Sequence, residues 1–219
     1  FLDNAKKPNM AIVGGSKIST KIKLLNNLIE QFSSVVIGGA MANTFLLAKN
    51  YNLGKSLVEK NLIQEANNIQ LKAKKLNCEL ILPTDVLCGK NIHDTNPVNC
   101  KIHEMSPEEM ILDIGENSTE FINNKIINSK MVLWNGPVGA FEFKPYDKAT
   151  NAIANIIKLN ARKLNINTLA GGGDTVSAIK NTNAEDGFNY ISNAGGAFLE
   201  WLEGNESPGV KSLKENNLT

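Results

Sequence analysis

Thr168 to Lys180 reads TLAGGGDTVSAIK, and the order of its parts decides the fold: the end of an apolar run, three glycines, an aspartate and a threonine, then a helical pattern. A buried strand turning into a helix is the repeating step of an α/β protein. Three consecutive glycines exceed what a turn needs, because each loses more backbone freedom on folding than any other residue. Such a turn is expected where a ligand comes close to the backbone.

The same step recurs along the chain. MAIVGG (10–15), SVVIGG (34–39), CELILPTD (78–85), MILDIG (110–115), MVLWNGP (131–137), INTLAGGG (166–173) and FNYISN (188–193) are short apolar runs ending in glycine, aspartate, asparagine or proline. They are predicted as buried strands. Between them Ile18, Ile22, Leu25 and Ile29 recur at helical spacing, as do Ala149, Ile153, Ile156 and Asn160, and the stretch from Val58 to Leu76 is long and amphipathic. The alternation predicts a three-layer α/β/α domain with a mainly parallel, Rossmann-like sheet, spanning residues 10–204. Ligands of such sheets sit beyond the carboxyl ends of the strands, where these glycine clusters fall. Lys90 to Pro107 is polar and turn-rich, and is predicted as an irregular excursion with one short strand.

Of the 219 residues 42% are hydrophobic and 21% charged, enough to bury a real core, and the formal net charge is +1. That balance gives no reason to expect nucleic acid or a membrane surface as partner, so any phosphate binding must be local. No run approaches the roughly 18 apolar residues of a membrane span, and FLDNAKKPNM lacks the regions of a signal peptide. A cytoplasmic location is expected, with Cys78, Cys88 and Cys100 as free or structural thiols. The first methionine is Met10, inside a predicted strand, so a processed product or fragment is expected. Of 23 basic residues only Arg162 is arginine.

Unpartnered N–H groups at a helix start make a glycine-rich turn an anion site. GGGDT (171–175) is one such turn, and VGGSKISTK (13–21) is another, with Lys17 and Lys21 four apart and therefore expected on one face of the following helix. Cations oppose the helix dipole there, which points to phosphate as their partner. Asp174 reads either as a helix N-cap or as the carboxylate that holds Mg²⁺ beside bound phosphates, with Thr175 offering a hydroxyl. The P-loop and the G-x-G-x-x-G fingerprint are both missing. His93 and His103 read as ordinary surface histidines, and Trp134 and Trp201 as core.

The motifs VGGSKISTKI (13–22), IGGAMANTFL (37–46), LPTD (82–85), DIG (113–115), WNGPVGAFE (134–142), GGGDT (171–175) and ISNAGGAFLEWLEG with PGV (191–210) occur in the order and spacing of the C-terminal half of the phosphoglycerate kinase family, which the chain resembles over nearly its whole length. The resemblance implies phosphoryl transfer between 1,3-bisphosphoglycerate and ADP with Mg²⁺, in glycolysis, by a monomer. Position by position it implies that Lys17 follows the transferring group, that Lys21 contacts nucleotide phosphates and Gly15 belongs to the nucleotide site, that Asp174 ligates Mg²⁺, and that Gly172, Gly173 and Thr175 form the phosphate turn. It implies too that Glu142 binds the ribose hydroxyls, Asn135 lies near the phosphates and Pro137 lines the sugar. Gly38, Gly39 and Gly115 would wall the adenine slot, and Gly195 and Gly196 would open the helix whose amides face the transferred group.

Where the family commonly has STGGGAS, this chain has SNAGGAF, with Asn193 still offering an N-cap oxygen; Glu116 replaces a proline and would put a carboxylate near the adenine slot. The family reads phosphoglycerate with several arginines and a histidine in an N-terminal domain, and one arginine does not rebuild that site. Residues 1–9 are therefore expected to be a remnant of the interdomain connection, and 205–219 a poorly anchored tail, with Val210 and Leu213, that returns to that domain. The expectation is a chain that binds Mg·ADP or Mg·ATP without turnover, 3-phosphoglycerate engaging only through the absent domain. The alternative is a stand-alone nucleotide-binding or interaction module.

Overall fold

The computed structural model describes residues 6–204. The first five residues of the expected connection and the whole 205–219 tail, with Val210 and Leu213, lie outside the described residues. Along the chain run β1 (Asn9–Val13), α1 (Ile22–Gln31), β2 (Ser34–Ile37), α2 (Ala40–Ala48), α3 (Ile63–Lys75), β3 (Glu79–Ile81), β4 (Asp85–Gly89), β5 (Val98–Lys101), β6 (Met110–Ile114), α4 (Glu116–Ile127), β7 (Met131–Asn135), α5 (Lys148–Asn160), β8 (Asn167–Gly171), α6 (Gly173–Asn181), β9 (Tyr190–Ser192) and α7 (Gly195–Leu202).

Successive side chains of a strand point to opposite faces, and β1 shows the consequence. Met10 and Ile12 enter one core with Val132, Trp134, Ile153 and Ile157; Ala11 and Val13 enter the other with Leu24, Leu28, Phe45 and Ile69. A sheet apolar on both faces must be covered on both, so α4, α5 and α6 lie on one side and α1, α2, α3 and α7 on the other. The three-layer α/β/α arrangement is therefore as the sequence predicts. The main sheet runs β3-β2-β1-β7-β8-β9, and every pairing in it is parallel. β1 lies between β2 and β7, so the winding direction reverses there and leaves a crevice between the ends of β1 and β7.

Three local expectations are corrected. Met110–Gly115 does not join the parallel sheet, because β6 pairs antiparallel with β4, and β4 with β5, in a separate three-stranded sheet. The run 78–85 is not one strand: β3 stops at Ile81 and Pro83, which has no N–H for a ladder, separates it from β4. The stripe from Ile18 is not one helix either, since Ile18–Thr20 forms a 3₁₀ turn and α1 starts only at Ile22. On α5 the buried face is Ala149, Ile153, Ala154 and Ile157, with Ile156 and Asn160 half-buried on its flank.

The excursion after Gly89 holds one short strand, β5, as anticipated, and also a 3₁₀ turn, Ile102–Glu104. Leu46 of α2 packs with Val86, Cys88 and Ile102, which fastens the small sheet to the main body. Asp85 adds a polar tie: its carboxylate accepts the N–H groups of Asn117 (2.9 Å) and Ser118 (2.7 Å), capping α4 from another element. Cys78, Cys88 and Cys100 are free thiols, and no helix among the described residues is long and apolar enough to cross a membrane.

Candidate functional site

Beyond the carboxyl ends of the parallel strands lies a cleft of about 350 Å³. One wall is backbone and small residues: Gly15 and Ser16 after β1, Gly39 and Ala40 at the start of α2, Pro137 after β7 and Asp174 on α6. The other is apolar, from Met110, Leu112 and Ile114 of the small sheet with Ile92, Phe141 and Phe143. One cleft is thus lined by backbone and small residues on one side and by apolar side chains on the other.

The crevice between β1 and β7 is closed by close backbone approach. A Cβ on Gly14 would stand 1.8 Å from the Pro137 carbonyl oxygen, so only glycine fits. Into this junction Lys21 folds back, its Nζ donating to Gly14 O (2.6 Å), Asn135 O (3.1 Å) and Asn135 Oδ1 (2.7 Å). Asn135 in turn donates from Nδ2 to Gly171 O at 2.8 Å, so one buried amide links the lysine to the glycine turn after β8. Burial depresses the Lys21 ammonium from 10.5 to about 8, and nearby Asp174 opposes that fall. The three ammonium N–H donors are thus all matched by protein acceptors, and Lys21 itself does not line the cleft.

The glycine turn decides against one of the two readings of Asp174, the helix cap. Gly172, with φ of +99°, holds the N-cap position of α6, and Asp174 stands in the first turn, exposed, at the cleft. It does not cap the helix. Thr175 is fully buried and its Oγ1 accepts the Gly136 N–H at 2.7 Å, so it locks α6 to the turn after β7 and does not stand open to the cleft. A Cβ on Gly173, Gly195 or Gly196 would meet nothing within 4 Å, which leaves the first amides of α6 and α7 unshielded. α7 is seated by Phe198, whose ring fills the space a side chain at Gly171 would need. Ala194, not Asn193, is its N-cap, so the capping oxygen expected of Asn193 is not used.

Lys17 is exposed and extended ahead of the 3₁₀ turn, so Lys17 and Lys21 flank that turn instead of sharing a helix face. Pro137 and Glu142 line the cleft, Glu142 as an exposed rim carboxylate. Gly38 is glycine because a Cβ would strike Val138, and Gly115 because it would strike Asp85; neither opens a slot for a ring. Gly39, also expected at the slot, does line the cleft, with φ of +67°. Glu116 is exposed on α4 and does not line the cleft, and Arg162 lies between α5 and β8, at the opposite end of the sheet.

Asp113 went unassigned although it lines the cleft. It is 1% exposed, accepts N–H groups from Ile114 (2.9 Å) and Ala149 (3.0 Å), and burial pushes its carboxyl up to about 8. The only signal was the aspartate of DIG, and its partner on α5 is 36 residues away. Among the described residues no three His, Cys, Asp or Glu side chains cluster as a metal site. The exposed carboxylate of Asp174 therefore fits Mg²⁺ only where a polyanionic ligand supplies most of the remaining oxygens, which is how Mg²⁺ commonly binds with nucleotides.

The family model for phosphoglycerate kinase matches residues 1–205. The phosphoglycerate kinase of Brucella melitensis is 46% identical over 215 residues, covering 98% of this chain and 54% of the relative, and that of Rhodospirillum centenum is 44% identical over 213 residues, covering 97% and 54%. The chain thus spans about half the length of the curated relatives it matches. The solved structure of phosphoglycerate kinase from Coxiella burnetii superposes with a TM-score of 0.93 at 37% identity, over 98% of this chain and 54% of that one. The phosphoglycerate kinase of Pyrococcus horikoshii shares the fold, with a TM-score of 0.81 at 23% identity, over 96% of this chain and 53% of that one.

Proposed function

We propose, from the premise that this chain belongs to the phosphoglycerate kinase family, that it is the nucleotide-binding half of a phosphoglycerate kinase, holding Mg·ADP or Mg·ATP in the cleft between the main and small sheets. The observation that carries this reading is the crevice itself: Lys21, poised at about 8, tied through Asn135 to a glycine turn whose first amide is open. The apolar wall suits a flat base, Glu142 and Pro137 suit the sugar, and the wall of backbone and small residues suits the phosphates.

Phosphoryl transfer asks the protein for positioning and charge neutralisation more than for covalent chemistry. Lys21 orients the nucleotide phosphates, and Lys17, exposed on its turn, follows the transferring group. The open amides at Gly173 and Gly196 offer donors to its oxygens. Asp174 would hold Mg²⁺, which when bound neutralises phosphate charge. We assign the 3-phosphoglycerate site to the part of the relatives that this chain does not match, because its one arginine lies at the far end of the sheet. By themselves the 219 residues then bind nucleotide as a cytoplasmic monomer and give no turnover.

The test is a calorimetric titration of the chain with ADP, with and without Mg²⁺, beside Asp174→Ala and Lys21→Ala. Saturable binding that Lys21→Ala abolishes, and whose Mg²⁺ dependence Asp174→Ala removes, is expected. Absence of binding, or binding indifferent to both substitutions, refutes the assignment.

A further inference from the structure

The 3₁₀ turn Ile18–Thr20 is held from outside by Glu59. One carboxylate oxygen accepts the Ser19 hydroxyl at 2.6 Å and the other accepts the Ser19 N–H at 3.1 Å. The Glu59 backbone is fixed in turn, its N–H donating to Thr44 Oγ1 of α2 at 3.1 Å. Burial pushes the carboxyl up, but the hydrogen bonds from Ser19 and Ile18 and the Lys17 charge outweigh it, so Glu59 sits below the usual carboxylate range and stays ionised.

Lys17 and Lys21 stand on the two sides of the turn that Glu59 grips, and they are secured differently. Lys21 is fixed by three protein acceptors. Lys17 is exposed, and its backbone is held at the start of the turn, where its carbonyl oxygen accepts the Thr20 hydroxyl at 2.9 Å. The segment before Glu59 also reaches the apolar wall: Ser56 Oγ accepts the Ile111 N–H at 2.9 Å, and the Lys55 N–H donates to Glu109 O at 2.8 Å. A short strap thus connects the base side of the cleft to the lysine turn.

We infer that Glu59 is a positioning residue for Lys17, clamping the Ile18–Thr20 turn through Ser19 so that Lys17, at the start of that turn, is presented to the outer phosphates of a bound nucleotide. The inference rests on the nucleotide reading above. Only an ionised carboxylate of this length makes both contacts: glutamine has one acceptor oxygen, and aspartate is a methylene shorter.

The test compares Glu59→Gln, Lys17→Met and the double variant by calorimetry with Mg·ATP and with AMP, and follows Lys17 Cε mobility by NMR relaxation without nucleotide. Glu59→Gln is expected to weaken Mg·ATP binding by about three- to tenfold, the loss of one charge-assisted contact, to leave AMP binding within about twofold, and to mobilise Lys17 Cε. In the Lys17→Met background its effect on Mg·ATP should vanish. Equal losses for AMP and Mg·ATP, an undiminished effect without Lys17, or unchanged Lys17 mobility would each reduce Glu59 to a structural role and overturn the inference. Failure of the unsubstituted chain to bind either nucleotide overturns both readings, whereas normal binding with inert Glu59 variants removes this one alone. Should Glu59→Gln not fold, Glu59→Asp carries the same comparison.

Discussion

Replacing Lys21 by methionine separates the cost of the buried cation from its use. Between about 8 and 10.5 the unfolded chain holds a proton on this amine that the folded chain has released. Stability therefore rises with pH across that window, by about 1.4 kcal/mol per unit. Below about 8 both states are protonated and the slope from this group is zero. The span corresponds to about 3 kcal/mol, which solvent reaching the half-buried stem reduces to about 2 kcal/mol. Loss of the hydrogen bonds to Gly14 and Asn135 shifts the variant's whole curve by about 1–3 kcal/mol but leaves its shape alone. The assay is urea denaturation of both proteins from pH 6 to 10.5, plotted as the difference between them. The wild type should gain about 2 kcal/mol on the variant above pH 8, with all other titrating groups cancelling. Mg·ADP affinity should fall by up to about tenfold per pH unit above 8, as phosphate binding must then restore the proton. A flat difference curve would refute the picture of a charged lysine held at a cost for its ligand.

Gly14→Ala, whose Cβ has no room against Pro137, should lose about 3 kcal/mol or more in chemical denaturation. Gly173→Ala, facing open space, should melt within a degree or two of wild type while Mg·ADP affinity drops by about tenfold; equal stabilities for the two variants would contradict the packing described. Asp85→Ala uncaps α4, removing the acceptor of the Asn117 and Ser118 N–H groups, and should cost about 2–4 kcal/mol by urea titration. Asp113, pushed up to about 8, keeps in the folded state a proton that the unfolded chain releases above about 4. Its contribution to stability is then present at low pH and is lost as pH rises from 4 to 8. Asp113→Asn should flatten that slope, and an unchanged slope would show that Asp113 is ionised in the fold.

Much of the main sheet was legible because it is built from local signals. β1, β2, β7 and β8 announce themselves as apolar runs that end in glycine, and the alternation within MAIV already sorts Met10 and Ile12 from Ala11 and Val13. The small sheet was not legible in the same way. MILDIG looks like any other buried run, and only its partner, β4, lying 20 or more residues earlier, makes it antiparallel. The lysine pair misled for a related reason: spacing of four suits a helix face, but a 3₁₀ turn stands there, bonded through Ser19 to Glu59 40 residues away, and α1 begins only at Ile22.

The amino-acid sequence by itself determined the α/β class, the glycine turns at the carboxyl ends of the strands, and the family, since these depend on residue type and order along the chain. Tertiary structure decided which of the marked residues face the cleft. Gly38 and Gly115 turned out to be glycine to admit Val138 and Asp85, Thr175 to be a lock on Gly136, Asp113 to line the cleft, and Glu59 to grip Ser19. A side chain's direction and its charge state are set by neighbours brought close only when distant segments pack, and no local pattern in the chain encodes them.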